Sequence, residues 1–338
     1  MIWLTWRHLR AQTTALYAGV LAVAVVLAIT GPRLTRLHGS SLLDQLTRTD
    51  HRLFYAGVVV LAVAPAVVGA FWGAPLVARE VEAGTHRLVW NQSVTRSRWL
   101  AAKIAITTGL AALAVGALSL AVTWWSAPID GAVGSQRGSL PLRLTPISFG
   151  MRGLDPVALT VFAVSVGIAV GALVRRAVPA MALTLAVTVF VQLAVPAWVR
   201  PHLLPASTRT VVMTRATLDG IMADESGKIV HIAARSPHRG DWVLSQTTVD
   251  ASGRAVALPS WFAACIAPPP PGAIVGTRSK GPDVTSCFDR LTSEGYRQRV
   301  VYQPVGRFWP LQWLESGVLL VLSALLTAFT FRWTRRLS

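Results

Sequence analysis

The residues with the most informative types and spacing are Arg79-Glu80-Val81-Glu82-Ala83-Gly84-Thr85-His86-Arg87-Leu88-Val89-Trp90, a polar stretch between two long apolar runs. Its chemistry is recognition rather than bond-making. Gly84 is able to end a preceding helix in a left-handed conformation. Thr85 is placed to N-cap a short helix over His86–Asn91. Leu88, Val89 and Trp90 then give that helix an apolar face that suits a groove, while Glu82 and Arg87 pair at the rim. An ordinary amphipathic helix resting on a bilayer is the alternative reading of the same residues.

Covalent chemistry has no comparable footing. No Gly-x-x-x-x-Gly-Lys-Ser/Thr phosphate loop is present, so the chain is not expected to hydrolyse ATP itself. His-Glu-x-x-His and Gly-x-Ser-x-Gly are also missing. The histidines (His8, His38, His51, His86, His202, His231 and His238) are dispersed without ligand spacing, so no metal and no catalytic residue is expected. Cys265 and Cys287 share one long polar segment, where a disulfide is expected if that segment lies in an oxidising space.

The elements that position the polar stretch are membrane spans. Of the 338 residues 53% are hydrophobic and only 14% charged, against about 25% charged in soluble domains. The apolar residues fall into blocks near the roughly 20 residues a spanning helix needs: Ala15–Thr30, Phe54–Leu76, Ile104–Trp125, Val157–Val174, Ala180–Val199 and Leu314–Phe331. None carries a charge in its interior; Glu315 sits at the mouth of the last, where the helix dipole favours a carboxylate. Ion-coupled carriers place ionisable groups at membrane depth, so energy is expected to come from outside the chain. The formal net charge of +17 is scattered over connecting segments rather than gathered in a stripe. That distribution points to orientation and anionic lipid, not nucleic acid.

Lys and Arg in short loops set orientation. The flanks 1–14, 77–103, 175–179 and 332–338 carry Arg7, Arg10, Arg79, Arg87, Arg96, Arg98, Lys103, Arg175, Arg176, Arg332, Arg335 and Arg336. The opposite loops carry fewer basic residues: Arg33, Arg36, Arg48, Arg52, Arg137, Arg143 and Arg152. Both termini are therefore expected in the cytoplasm. The expected class is an all-α polytopic membrane protein with a mixed α/β domain outside the membrane between the fifth and sixth spans, at 200–313. In that domain Lys228–Ala234 reads as a strand. Trp242–Val249 and Arg254–Leu258 read as a hairpin about Asp250-Ala251-Ser252-Gly253. Pro268–Pro271 is a stiff polyproline stretch. Residues 1–14, with Trp3, Trp6, Arg7 and Arg10, read as an interfacial helix, or else as a basic tail that only sets orientation. Gly167 and Gly171 form a small-xxx-small pattern for close helix approach. Thr107, Thr108, Ser119, Thr160, Ser165, Thr184, Thr188 and Gln192 either line a weakly polar path or bond neighbouring helices.

Glu82-Ala83-Gly84-Thr85, followed by Leu88-Val89, Ser93-Val94-Thr95-Arg96 and Trp99, resembles the Glu-x-Gly-Thr segment of type-2 ABC transporter permeases. Ser93 stands where many relatives carry Pro. The layout also resembles that family: basic N-terminus, six spans, this loop after the second and an insertion after the fifth. The stretch Tyr302-Gln303-Pro304, Arg307-Phe308-Trp309 and Gln312-Trp313-Leu314-Glu315 resembles an actinobacterial-type subgroup. The resemblance implies a bacterial plasma-membrane subunit of an exporter with no cofactor of its own. It implies an ABC ATPase subunit carrying ATP and magnesium, docked on Glu82, Gly84, Thr85, Arg87, Leu88, Val89 and Trp90. It also implies pairing with a second copy or a paralogue among membrane lipids. An amphiphilic substrate is expected because the spans offer no strong charge. A secondary carrier, or a membrane sensor using the outer domain, are the alternatives.

Overall fold

A backbone in hydrocarbon must satisfy its own N–H and C=O groups, so each apolar run folds as a helix. The computed structural model describes residues 2–36, 42, 45–82, 96–135, 140–141, 143–223, 229–236, 238–266 and 284–335. Helix α1 runs over Ile2–Arg36. Helix α2, Arg48–Val68, passes through a π turn at Gly69–Gly73 into α3, Ala74–Glu82. Helix α4 covers Arg96–Ser135, and the short α5 covers Pro146–Phe149. Helix α6 is Asp155–Val174; α7, Ala177–Ala194, passes through a second π turn at Val195–Val199 into α8, Arg200–Leu203. Strands β1 to β4 (Ser207–Val212, Leu218–Ala223, Ile229–Ala234, Trp242–Val249) come next. Helices α9, Ser260–Ile266, and α10, Val284–Ser293, precede β5, Arg297–Gln303, and the last helix, α11, is Phe308–Arg335.

Six stretches of the described helices are long and apolar enough to cross a membrane, one at each run expected from hydropathy. They extend beyond those runs. The basic N-terminal stretch is helical and continuous with the first span in α1, with no Gly or Pro interrupting the backbone before Gly19. Arg96, Arg98 and Lys103 belong to α4, so the connector after the second span shrinks to 83–95, which lies outside the described residues together with Gly84, Thr85, Arg87, Leu88, Val89, Trp90 and Thr95.

Contacts divide the chain into two compact units, Met1–Leu204 with Gly306–Ser338, and Pro205–Val305. In the helical unit α6 is central: 72% of its membrane window is buried, against 17% for the first and fifth spans. It packs on α2, α3, α4, α7 and α11. The closest approach is to the π turn. A Cβ on Gly167 would stand 2.5 Å from the Gly69 carbonyl oxygen and 2.7 Å from the Ala74 nitrogen, and one on Gly73 would stand 2.7 Å from the Val164 oxygen. The Gly167/Gly171 pattern therefore lets two backbones meet. Helix α1 packs on α4, where Trp125 Nε1 donates to Thr30 Oγ1 at 2.9 Å and the Tyr17 hydroxyl donates to the Leu110 carbonyl at 3.0 Å.

The second unit holds an antiparallel sheet in the order β1-β5-β4 and a two-stranded β2-β3 pair. Gln246 joins them: its Nε2 donates to the Ala234 oxygen, and its Oε1 accepts from the Ala234 nitrogen, at 2.8 and 2.7 Å. The turn after β4 forms where expected, with Gly253 at φ 81°. Its second arm is reduced to one bridge, Val249 to Ala255, on the edge of β4 opposite β5, which pairs with Val249 through Arg297. Asp250 accepts from Ser252 Oγ and from the Arg254 and Ser252 nitrogens; the Ser252 hydroxyl does most to hold its pKa down to about 2. A disulfide joins Cys265 on α9 to Cys287 on α10, with Cα atoms 6.1 Å apart, beside Phe262, Phe288 and Leu291. Pro268–Pro271 lies outside the described residues.

The Gly167 contact predicts a sharp contrast. Gly167→Ala should destabilise the purified protein by about 1–3 kcal/mol through overpacking. Gly109→Ala, where a Cβ meets nothing within 4 Å, should be neutral or stabilising. Thermal unfolding of the two variants in detergent checks this.

Candidate functional site

Hydrocarbon tolerates charge only where it is paired and hydrogen-bonded. The described residues gather charge at two ends of the helical unit.

At one end, α3 and α4 bring Glu80 to Lys103 in an ion pair, with the Lys103 ammonium 4.3 Å from the centre of the Trp99 ring. Two residues further along α3, the exposed Glu82 carboxylate accepts from the Ala177 nitrogen at 3.0 Å. Ala177 is the first residue of α7, and Arg176 before it makes no side-chain cap. Glu82 supplies that cap from another helix and places negative charge at the helix N-terminus. The turn ahead of it is tight: Arg175 closes α6 in the left-handed conformation at φ 60°. Glu82 is the one expected docking-loop residue within the described residues, and its partner there is a backbone amide of α7.

At the other end, Pro196 sits in the second π turn and has no N–H for a regular helical bond. The Arg200 nitrogen reaches back five residues to the Val195 carbonyl instead. Each residue of an α-helix turns about 100°, so the inserted residue rotates everything after it. Trp198 and Val199 are exposed while Arg200 is buried. Arg200 Nε and Nη2 donate to Glu315 Oε2 and Oε1 at 2.6 and 2.8 Å, and Nη1 donates to the Pro146 carbonyl at 3.2 Å. The guanidinium lies 4.1 Å from the Phe149 ring centre.

Gln312, one turn before Glu315, closes the loop between α5 and α6. Its Oε1 accepts from the Leu154 and Asp155 nitrogens at 2.8 and 3.1 Å; its Nε2 donates to the Phe149 and Arg152 carbonyls at 3.0 and 3.1 Å. Gly153 has φ 68°, and a Cβ there would stand 2.9 Å from Gln312 Oε1, so glycine is needed twice over. The Asp155 carboxylate accepts from Ser316 Oγ at 2.9 Å and from Gln312 Nε2 at 3.4 Å. Arg152 pairs with Asp130 of α4, while Arg143 stacks 3.7 Å from the Phe308 ring centre. Burial lowers the Arg143 pKa from its ordinary value, and Asp130 opposes the shift.

Asp155, Arg200 and Glu315 line a cavity of about 550 Å³, whose other walls include Leu159, Val189, Leu193, Pro196 and Leu319. The volume suits a small organic molecule. Gln192 also lines it and donates to the Ala62 carbonyl of α2 at 3.0 Å.

Hydropathy placed strong charge nowhere near a binding path, and the structure corrects that. Asp155, Arg200 and Gln312 each lie one or two residues beyond a run drawn from apolar residues alone. Glu315 is not a helix-start carboxylate; α11 begins at Phe308, two turns earlier, and Glu315 is buried against Arg200. The signals were present: Asp155-Pro156 opening a helix, Arg200-Pro201 near the end of one, and Gln312, Glu315 and Ser316 on one helical face. Of the scattered polar residues, Ser119 donates to the Gly153 carbonyl in the loop between α5 and α6, and Gln192 reaches across to α2. Thr160, Ser165, Thr184 and Thr188 bond carbonyls four residues back in their own helices, so they neither line a path nor join neighbours. The Thr107 and Thr108 hydroxyls find no partner among the described residues. No group of three or more His, Cys, Asp and Glu among the described residues could hold a metal.

A family model described as "ABC-2 membrane transporter related" matches residues 17–200, from within α1 to the first residue of α8. The chain belongs to this family. It is a multi-pass membrane protein and the membrane subunit, or permease, of an ABC-type transporter. No curated protein and no solved structure matches it.

In this permease Gln312 satisfies four buried backbone groups. Gln312→Leu should therefore destabilise it by about 2–4 kcal/mol, since each unmet group costs about 1–3 kcal/mol and some relaxation follows. Gln312→Glu should not recover the loss, because its second oxygen faces the Phe149 and Arg152 carbonyls and the Asp155 carboxylate. Detergent-solubilised unfolding of both variants measures it.

Proposed function

We propose that the permease exports an amphiphilic substrate across a bacterial plasma membrane, with both termini in the cytoplasm and Pro205–Val305 outside. A separate ATPase subunit powers it. That partner docks on the connector from Glu82 through Gln92, with Gly84, Thr85, Arg87, Leu88, Val89 and Trp90 forming the contact. ATP and magnesium reside on the partner, and the permease pairs with a second copy or a paralogue. The observation that carries this reading is the family match, which takes in the first five spans and the connector between the second and third. The lack of a phosphate loop in the sequence supports an external source of energy. The Cys265–Cys287 disulfide supports an oxidising outer compartment for its unit.

The path of motion follows from Glu82. A displacement of the docking loop pulls on the stem of α3 and, through the Ala177 amide, on the start of α7. The other end of α7 continues through the Pro196 turn to Arg200 at the cavity. A rigid α7 carries movement from the docking end to the substrate end. π turns and Pro are places where such a helix bends.

Co-purification with an ABC ATPase subunit co-expressed with the full chain tests the reading. Replacing Leu88, Val89 and Trp90 with Ser should abolish the complex. Glu82→Ala should keep the complex and lower substrate-stimulated ATP hydrolysis roughly two- to tenfold, the loss of an exposed cap at a helix end. Complex formation and stimulated hydrolysis that both survive the triple replacement would remove the docking assignment.

A further inference from the structure

We propose that the cavity at Arg200 and Glu315 binds a hydrophobic organic cation, an amine, ammonium or phosphonium carried on an apolar body. This deepens the exporter reading and rests on it for the ligand's role as cargo; the binding itself is a property of the chain alone.

Charge and shape lead to the same ligand. The walls are mostly aliphatic, and the volume of about 550 Å³ holds a compact molecule. Three ionisable groups line it, two carboxylates and one guanidinium. The guanidinium is already engaged: Nε and Nη2 donate to Glu315 and Nη1 to the Pro146 carbonyl. An incoming anion would find no free cation and two carboxylates. Asp155 is in the opposite position. It is buried, its hydrogen-bond donors are the neutral Ser316 hydroxyl and Gln312 amide, and among the described residues it makes no ion pair. Arg200 attracts Asp155 only from beyond pairing distance, and Glu315 repels it; the buried carboxylate is therefore costly, and an entering cation relieves that cost. A neutral apolar ligand gains only the aliphatic contacts.

The entrance agrees with an apolar body. Ile147, Val189 and Leu193 line the cavity and are 66%, 42% and 69% exposed on the outside of the helices. A ligand dissolved in the hydrocarbon next to α7 passes these side chains before it meets charge. Strongly hydrated small cations are excluded by the same entrance.

Equilibrium binding of radiolabelled tetraphenylphosphonium to the full chain in phosphatidylcholine nanodiscs, with empty nanodiscs as background, tests the proposal. Tetraphenylborate, nearly the same size and opposite in charge, is measured in separate samples. Saturable binding of the phosphonium and none of the borate is expected. Asp155→Asn should weaken phosphonium binding at least tenfold. Val189→Trp, which fills the cavity from an exposed position and leaves the charged cluster intact, should do the same if Asp155→Asn fails to fold. Absent saturable phosphonium binding, equal binding of the borate, or a folded variant of either kind that binds like the parent would overturn the proposal. None of these results bears on whether the ATPase co-purifies, so the two readings fail separately.

Discussion

A guanidinium among apolar helices is stable only if its charge and its donors are all met. Arg200 meets that condition with one carboxylate, one carbonyl and one aromatic face. These come from α11, Pro146 and Phe149 of α5, so the fifth span, the sixth span and the short helix before the fourth are fixed at one point. Gln312 and Ser316 extend the same face of α11 to the start of α6. The cavity is what remains between these anchored elements.

The pair depends in turn on a backbone irregularity. A continuous α-helix through Pro196 would carry Arg200 about 100° around the axis, toward the face that holds Trp198 and Val199. The π turn removes that conflict. A similar turn at Gly69–Gly73 lets α2 meet α6 at backbone distance. Both irregularities lie where the packing is most specific, and both follow from residues that disfavour a regular helix with full side chains.

Hydropathy alone was enough to place all six spans, because a run of apolar residues near 20 long has few other fates. The strands at Ile229–Ala234 and Trp242–Val249 were legible from β-branched and alternating residues. The ends of the helices were not. Averaging over apolar runs stops at the first charge, although Lys103 and Arg200 continue helices once they are paired. The second arm beside β4 looked like a full hairpin partner because only local residues were weighed; it keeps one bridge, and the strand that runs along β4 is β5, about 50 residues later, on the other edge. The site was hidden for a related reason. Its residues come from three places in the sequence, and no single stretch shows that Arg200 and Glu315 share a charge. Glu82 stood out by its Gly-Thr neighbours, but its bond to Ala177 depends on a fold that brings α3 beside the start of α7.

The most direct measurement is a double-mutant cycle on Arg200→Met and Glu315→Leu, followed by unfolding of the full chain in detergent. Each single replacement leaves a buried charge alone and should cost about 3–5 kcal/mol. The double replacement should cost much less than the sum of the two. Additive losses, or single losses within about 0.5 kcal/mol of zero, would contradict a buried, mutually dependent pair as the anchor of the site.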